Sequence, residues 1–162
     1  MTVTNIEKDL DAFTMTVNAE FDASVERTWQ LWSDPRQLER WWGPPTHPAT
    51  VVDHDLVPGA LVTYFMTGPD GDRYHGWWRI IAVDAPHALE VEDGFADETG
   101  RPNDEMPNTN MTVTLSPRVD GGTRVQIVSR FSSRDAMEQL MNMGMDEGLN
   151  AAMSQMDAIV AG

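Results

Sequence analysis

The feature that most constrains this fold is a period-two alternation of apolar and polar residues. It is strict in FTMTVNAEFD, where every odd position from Phe13 to Phe21 is apolar and every even position from Thr14 to Asp22 is polar. Residues two apart in a strand share one face of a sheet, so this segment predicts a half-buried strand. The period recurs in ATVVDHD, ALVTYFMT, RYHGWWRIIAV, ALEVEDGF, NMTVTL and TRVQIVSRF. We therefore expect seven strands.

Short turn sequences between these segments favour an antiparallel meander. They are Pro58-Gly59, Pro69-Asp70-Gly71, Ala85-Pro86 and Asp120-Gly121-Gly122. The alternation also predicts which residues face inward, because polar partners occupy the other register. The predicted inward set is Val62, Tyr64, Met66, Tyr74, Gly76, Trp78, Ile80, Met111, Val113, Leu115, Val125, Ile127, Ser129 and Phe131.

Helices are predicted after the first strand and at the end of the chain. Ser24 is a typical N-cap before VERTWQLWS, and Asp34-Pro35-Arg36-Gln37 places an N-cap before a first-turn proline. Ser132 or Ser133 caps a long terminal helix, in which apolar residues recur every three or four positions.

These elements predict an α+β fold of the helix-grip (START-like) type. In it, a seven-stranded curved antiparallel sheet, two short helices and one long C-terminal helix enclose a cavity. We expect residues 1–12 to be an acidic leader and residues 13–162 to be one domain, which is an ordinary size for a single core.

The segment ERWWGPP places two tryptophans directly before a glycine and two prolines. Neighbouring residues in a helix point about 100° apart, and Gly43-Pro44-Pro45 ends the helix. Trp41 and Trp42 therefore cannot both face one flat core. Either one indole gates the cavity while the other packs beneath it, or both are wedged against the sheet edge.

Charge and composition exclude several classes of partner. The formal net charge is −15 and the isoelectric point is near 4.3, and no basic run offsets this charge. We expect neither nucleic acid nor a membrane surface as a partner. The chain has no cysteine, which excludes disulfides and thiolate metal sites. Without a signal-peptide pattern or a membrane-length apolar run, we expect a cytoplasmic protein.

The four histidines give no metal-ligand pattern, so we expect no metal and no cofactor. His54 lies between two aspartates, but strand alternation puts it on the opposite face from both, which favours a surface position. His75 is likewise expected to point outward.

Polar residues in the inward register are better functional candidates. Asp93 is in register with Leu89, Val91 and Phe95; a carboxylate facing a cavity acts as an acid, a base or a ligand anchor. The alternative is that the strand frays there and Asp93 is solvated. Tyr64, Tyr74 and Ser129 either contribute hydroxyls to a ligand or satisfy buried backbone groups.

The chain contains 11 methionines, many of them in the terminal segment. A methionine-rich wall accepts ligands of varied shape, although methionine is also an ordinary core residue. We expect the loop ADETGRPNDEMPN to form a solvated rim. The candidate ligand-binding residues are Trp41, Trp42, Tyr64, Met66, Tyr74, Trp78, Asp93, Met111, Ser129, Phe131, Met141, Met145 and Met153.

Several segments together resemble the SRPBCC superfamily. They are LERWWGPP, DLVPGALVTYFMTGPDG, the run from Gly76 to Leu89 and NMGMDEGLNAAMSQMDAIV. Within the superfamily, the chain is similar to the homologues of the ATPase activator of the ninety-kilodalton heat-shock chaperone, from about Phe13 to Val160. It departs from them in one place, because Leu149 follows Gly148 where family members often carry tryptophan.

This resemblance implies the helix-grip fold and leaves three functions open. The superfamily includes binders of lipids, hormones and polyketides, and also cyclases, hydrolases and oxygenase subunits. We expect binding or carriage of a small hydrophobic, aromatic or polyketide-like molecule. The alternatives are a cyclase- or hydrolase-type enzyme that uses Asp93 with a tyrosine, and a chaperone-accessory module. The last is disfavoured because chaperone activators carry an additional N-terminal domain.

A homodimer is the remaining expectation. Trp77, Ile81 and Val83 share the outward register with His75 and Arg79, which predicts an exposed apolar patch on the sheet. The alternative is that a local bulge reverses the two faces around the Trp77-Trp78 pair. Patches of this kind often mark interfaces.

Overall fold

A computed structural model describes residues 3–161 as one curved antiparallel sheet covered by helices. Within that range the strands are β1 (Val3–Asp9), β2 (Thr14–Phe21), β3 (Ala49–Asp53), β4 (Leu61–Thr67), β5 (Arg73–Asp84), β6 (Ala88–Phe95), β7 (Thr109–Pro117) and β8 (Thr123–Phe131). The helices are α1 (Val25–Ser33), α2 (Pro35–Trp41), α3 (Arg134–Asn142), α4 (Met145–Met153) and α5 (Met156–Ala161). The sheet order is β1-β2-β8-β7-β6-β5-β4-β3. The predicted α+β helix-grip fold is confirmed.

The expected strand count of seven is wrong, because the residues predicted to be a leader contribute β1. This edge strand pairs with β2, for example Ile6 with Val17. Only Val3 and Ile6 of its seven residues are half-buried, and the others are exposed. Backbone hydrogen bonds along a sheet edge need no apolar pattern, so the side chains gave no signal for β1.

The predicted single C-terminal helix is divided into α3, α4 and α5. Gly144, with φ of +85°, interrupts it in the left-handed region between the first two segments. A break this short leaves the apolar spacing almost unchanged, so periodicity did not reveal it. Of the two candidate caps, Ser133 is the N-cap, and its Oγ accepts a hydrogen bond from the Ala136 amide at 3.0 Å.

The predicted caps of the two short helices are both present. Ser24 Oγ accepts from the Arg27 amide at 3.1 Å, and Asp34 Oδ1 accepts from the Arg36 amide at 2.9 Å. Side chains then tie this layer to the C-terminal segments. Arg27 Nη2 donates to the Ile159 carbonyl, and Gln155 Nε2 donates to the Gly43 carbonyl, each at 2.7 Å. None of the helices within residues 3–161 is long and apolar enough to span a membrane.

The expected apolar patch on the outer face of the sheet is wrong for two of its three residues. A bulge between Ile80 and Ala82 makes Val83 pair with Leu89 and turns it toward the core. Trp77 does lie on the outer face, but only 3% of it is exposed. Ile81, at the bulge, is the one that remains exposed. The homodimer stays a prediction, without the patch that suggested it.

Trp77 is buried because it lies across a glycine in the neighbouring strand. It pairs with Gly94 on β6, where an added Cβ would be 2.5 Å from the Trp77 Cζ2 atom. The indole Nε1 donates to the Phe95 carbonyl at 2.9 Å, and the Arg79 guanidinium is 5.5 Å from the ring centre. The Asn103 amide donates to the same carbonyl at 2.8 Å. The loop expected to be a solvated rim is thus attached to this strand end.

Candidate ligand-binding pocket

A pocket of about 270 Å³ lies between the sheet and the C-terminal helices. Its volume is close to the lower end of the range for small-molecule sites, about 300 Å³. Residues from β4 to β8 form the floor, α3 and α4 form the cover, and the end of α2 closes one side. The lining residues are Trp42, Pro44, Tyr64, Met66, Tyr74, His75, Gly76, Asp93, Gly94, Phe95, Thr109, Met111, Ser129, Leu140, Met143, Gly144, Met145, Gly148 and Leu149.

The two adjacent tryptophans have different positions. Trp41 is fully buried, and its Nε1 donates to the Leu31 carbonyl at 2.8 Å. Trp42 lines the pocket and packs edge-on against Trp78, with 4.8 Å between the ring centres. Because Gly43 and the prolines end α2 here, Trp42 stands at the end of the helix, between the core and the open space.

Tyr64 lies across Gly76, its partner on β5. An added Cβ at Gly76 would be 2.5 Å from the Tyr64 Cζ atom, so the ring is in close contact with the bare backbone. This position brings the hydroxyl to Asp93 on the next strand. The Tyr64 hydroxyl donates to Asp93 Oδ1 at 3.3 Å, which is long for an O–H···O bond.

Asp93 is a half-buried carboxyl group in an apolar wall. Burial raises its pKa from 3.8 to about 7, and the hydrogen bond from Tyr64 opposes this shift only in part. Burial also raises the pKa of Tyr64 well above 10.0, and the nearby Asp93 charge adds to that shift. Asp93 therefore changes its charge near neutral pH, whereas Tyr64 remains a neutral phenol. This arrangement favours the pocket-facing interpretation of Asp93 over the solvated one.

Two other polar groups of the lining have no hydrogen-bond partner within residues 3–161. They are Trp42 Nε1 and Ser129 Oγ. The residues that carry them are only 9% and 1% exposed. A buried polar group without a partner costs about 1–3 kcal/mol, so both groups retain unused hydrogen-bonding capacity.

Eight of the thirteen candidate residues border this pocket. They are Trp42, Tyr64, Met66, Tyr74, Asp93, Met111, Ser129 and Met145. Tyr74 lies at the mouth, because it is 55% exposed and stacks near His47.

The other five candidates are not part of the lining, which corrects the expectation that they border the cavity. Trp41 is held by its bond to Leu31, and Trp78 is fully buried against Trp42. Phe131 and Met153 are buried in the core, and Met141 packs against the core. Inward register alone does not distinguish a residue beneath the pocket from one beside it.

Several lining residues were missed by the sequence predictions. Phe95 was predicted in the inward register with Asp93 but was not chosen as a candidate, whereas Thr109, in register with Met111, lies one residue before the predicted strand and would have been found by extending the alternation. Met143 and Gly144 line the pocket because the helix is interrupted there. A glycine between methionines inside a helical pattern was the available signal.

The histidines differ partly from expectation. His54 is half-buried rather than on the surface, with its Nε2 2.9 Å from the Trp32 carbonyl oxygen. The His75 ring lies 5.6 Å from Phe65, and the residue also borders the pocket. No group of three or more histidines and acidic residues placed to hold a metal occurs among residues 3–161.

Known proteins are similar to this chain in both sequence and fold. Residues 22–161 match the family model described as Activator of Hsp90 ATPase homolog 1-like protein. Protein Ms6760 from Mycobacterium smegmatis is 53% identical, with a TM-score of 0.89 over 97% of this chain and 96% of that one. A protein from Arthrobacter aurescens is 48% identical, with a TM-score of 0.94 over 99% and 92% of the two chains.

A shorter match is to a UPF0178 protein from Bordetella petrii, 34% identical over 88 residues. It covers 48% of this chain and 59% of that relative, so it spans little more than half of the other protein. The family match, in contrast, covers the strands from β3 to β8 and all five helices, and so includes every residue that lines the pocket. The chain belongs to the family of Activator of Hsp90 ATPase homolog 1-like proteins, as its resemblance to the SRPBCC superfamily predicted.

Proposed function

We propose that this protein binds or carries a small hydrophobic molecule, of aromatic or polyketide-like shape, in the pocket between the sheet and the C-terminal helices. The observation that carries the proposal is a pocket of about 270 Å³ with walls made largely of aromatic, methionine and leucine side chains. Ligand sites of this kind combine apolar walls with a few placed polar groups. Trp42, Tyr64, Asp93 and Ser129 are such groups.

The absence of cysteine supports a cytoplasmic location.

A second candidate is a cyclase- or hydrolase-type activity. It is favoured by one contact, the hydrogen bond from the Tyr64 hydroxyl to Asp93. A carboxyl group with a pKa of about 7 is suited to proton transfer at neutral pH. Binding is the stronger proposal, since it needs only the pocket, whereas catalysis also needs a substrate positioned against this pair.

Gly148 offers a direct test of the binding proposal. It lines the pocket from α4, and an added Cβ would meet no heavy atom within 4 Å. Gly148→Phe places a ring in this open space, while Gly148→Ala leaves most of it free. We expect the alanine variant to be more stable than the wild type by about 0.5–1 kcal/mol, because alanine replaces glycine inside a helix.

Native mass spectrometry of freshly purified protein measures whether a small molecule is retained in the pocket. The wild type and Gly148→Ala are expected to retain a small molecule, and Gly148→Phe is expected to lose it while keeping a cooperative unfolding transition. Equal retention in all three proteins would place the molecule outside the pocket and contradict the proposal.

A further inference from the structure

Three polar groups converge at one end of the pocket. Tyr64 donates to Asp93 at 3.3 Å, and this is the side-chain hydrogen bond that Asp93 makes within residues 3–161. The Trp42 indole N–H lies near the Tyr64 hydroxyl and acts to lower the pKa of that hydroxyl. Its Nε1 atom nevertheless makes no hydrogen bond within residues 3–161. The Trp42 and Tyr64 rings are nearly perpendicular, with 5.9 Å between their centres. An indole donor without a partner and a carboxylate acceptor therefore lie at the same end of the pocket.

The charge of the lining limits what this molecule can carry. Among the lining residues that the structure describes, Asp93 is the one carboxylate, and neither lysine nor arginine is present. A ligand carboxylate would be placed in an apolar space near Asp93 without a lysine or arginine to pair with it, and the ring of His75, the basic side chain of the lining, packs against Phe65. Burying an unpaired charge of this kind is strongly unfavourable.

We propose that the pocket prefers uncharged to anionic molecules and selects those that carry a phenolic, enolic or alcoholic hydroxyl, which donates to Asp93 and accepts from the Trp42 indole N–H. This inference rests on the proposed binding function and specifies its ligand class. A hydroxyl group both donates and accepts, so it satisfies the two groups together. An ammonium group has no acceptor for Trp42, and an ether or a ketone has no donor for Asp93.

Ser129 provides a second polar point at a distance from the first. It pairs with Met111 on β7, while Asp93 pairs with Thr109 on that strand. Asp93 and Ser129 are thus two strands apart, or roughly 10 Å. A molecule with oxygen atoms at both ends of a rigid apolar body would reach both points.

Four naphthalene probes with one varied substituent separate these contributions. They are 2-naphthol, which donates and accepts; 2-methoxynaphthalene, which only accepts; 2-methylnaphthalene, which does neither; and 2-naphthoate, which is an anion. Affinities are measured by calorimetry at pH 8, where Asp93 is mostly ionised, while phenols, which titrate at about pH 10, are neutral. We expect 2-naphthol to bind about tenfold more tightly than the ether, and the ether about fivefold more tightly than the methyl compound. 2-Naphthoate is expected to bind most weakly.

Two variants assign these ratios to particular residues. Asp93→Asn is expected to reduce the preference for 2-naphthol over the ether to less than threefold and to strengthen the binding of 2-naphthoate. Trp42→Phe is expected to keep that preference and to abolish the preference for the ether over the methyl compound. The exposed Asp55 gives a matched control, and Asp55→Asn is expected to leave all four affinities unchanged.

The possible failures are distinguishable. If all four probes bind the wild type with similar affinity, the hydroxyl selection is wrong and the binding function stands. If none of them binds, both proposals are overturned for molecules of this size. If Asp93→Asn does not fold, the affinity of Trp42→Phe for the ether relative to the methyl compound still decides whether the indole N–H recognises an acceptor.

Discussion

Two pairs of a glycine and an aromatic residue lie on opposite faces of the same sheet, and they differ in how completely their polar groups are bonded. On the outer face, Trp77 covers Gly94 and donates to the Phe95 carbonyl at 2.9 Å. On the inner face, Tyr64 covers Gly76 and makes a 3.3 Å hydrogen bond to Asp93. An aromatic ring laid over a glycine restores the packing that the missing side chain would have supplied.

The difference shows where this fold is stabilised and where it leaves room for a ligand. The outer indole is buried, hydrogen-bonded and placed near a guanidinium group. The inner ring borders open space, and Trp42 Nε1 beside it has no partner in the described part of the chain. Unsatisfied groups cost stability, and two of the five unpartnered buried side-chain atoms within residues 3–161, Trp42 Nε1 and Ser129 Oγ, belong to residues that line the pocket.

The largest effect on the free energy of unfolding is expected from adding one methyl group at Gly94 or at Gly76. Gly94→Ala places a Cβ between Trp77 and the Asn108 side chain, so it should lower the free energy of unfolding by about 3 kcal/mol. Gly76→Ala should cost only about 1 kcal/mol, because Tyr64 is able to shift into the pocket. Urea denaturation of both variants measures the difference. Equal costs would mean that the pocket does not relieve the contact.

A smaller effect is expected from the pH dependence of the inner pair. Because burial raises the pKa of Asp93 from 3.8 to about 7, the folded protein holds this proton more tightly than the unfolded chain does. The resulting stability is present below pH 4 and is lost as the pH rises through 7. Asp93→Asn avoids this loss and should be more stable than the wild type at pH 8 by about 2 kcal/mol, roughly half of what the full shift gives, because solvent screens the half-buried carboxylate; little difference is expected at pH 4. Thermal unfolding across this range is the measurement, and a wild type that is the more stable protein at pH 8 would reverse the assigned sign.

The smallest effect is expected from the two indole N–H groups. Trp77→Phe and Trp42→Phe remove similar volumes, but only the first removes a hydrogen bond. We expect Trp77→Phe to be the more destabilising by about 1 kcal/mol. Guanidinium denaturation of both variants provides the comparison, and a larger cost for Trp42→Phe would indicate that its N–H is bonded in solution.

The sequence predicted those parts of the fold in which side chains repeat with a clear period. Strict alternation located the strands from β2 to β8, and Ser24 and Asp34 located the starts of the short helices. The edge strand β1 was missed, since backbone pairing holds it. A bulge in β5 was only the alternative, and its position at Ile81 was not predicted, because one extra residue changes the register without changing the composition.

The site was predictable to the same extent. Register alone placed Tyr64, Met111 and Ser129 on the pocket face, but it could not show that Phe131 would lie beside the space in the core. The contacts of Trp42 with Tyr64 and Trp78 depend on how the end of α2 meets the sheet. Contacts between residues this far apart in sequence have no local signature in the chain.

An ion pair connects the first strand to the helical layer that covers the pocket. Lys8 on β1 forms an ion pair with Asp146 at the start of α4, next to Met145 of the pocket lining. The lysine side chain is 42% exposed, so dissolved ions have access to this pair. Its strength should therefore fall with ionic strength, since mobile ions screen exposed charges. Because the pair holds the segment that covers the pocket, added salt should accelerate both entry and escape of a bound molecule, and so shorten its residence time.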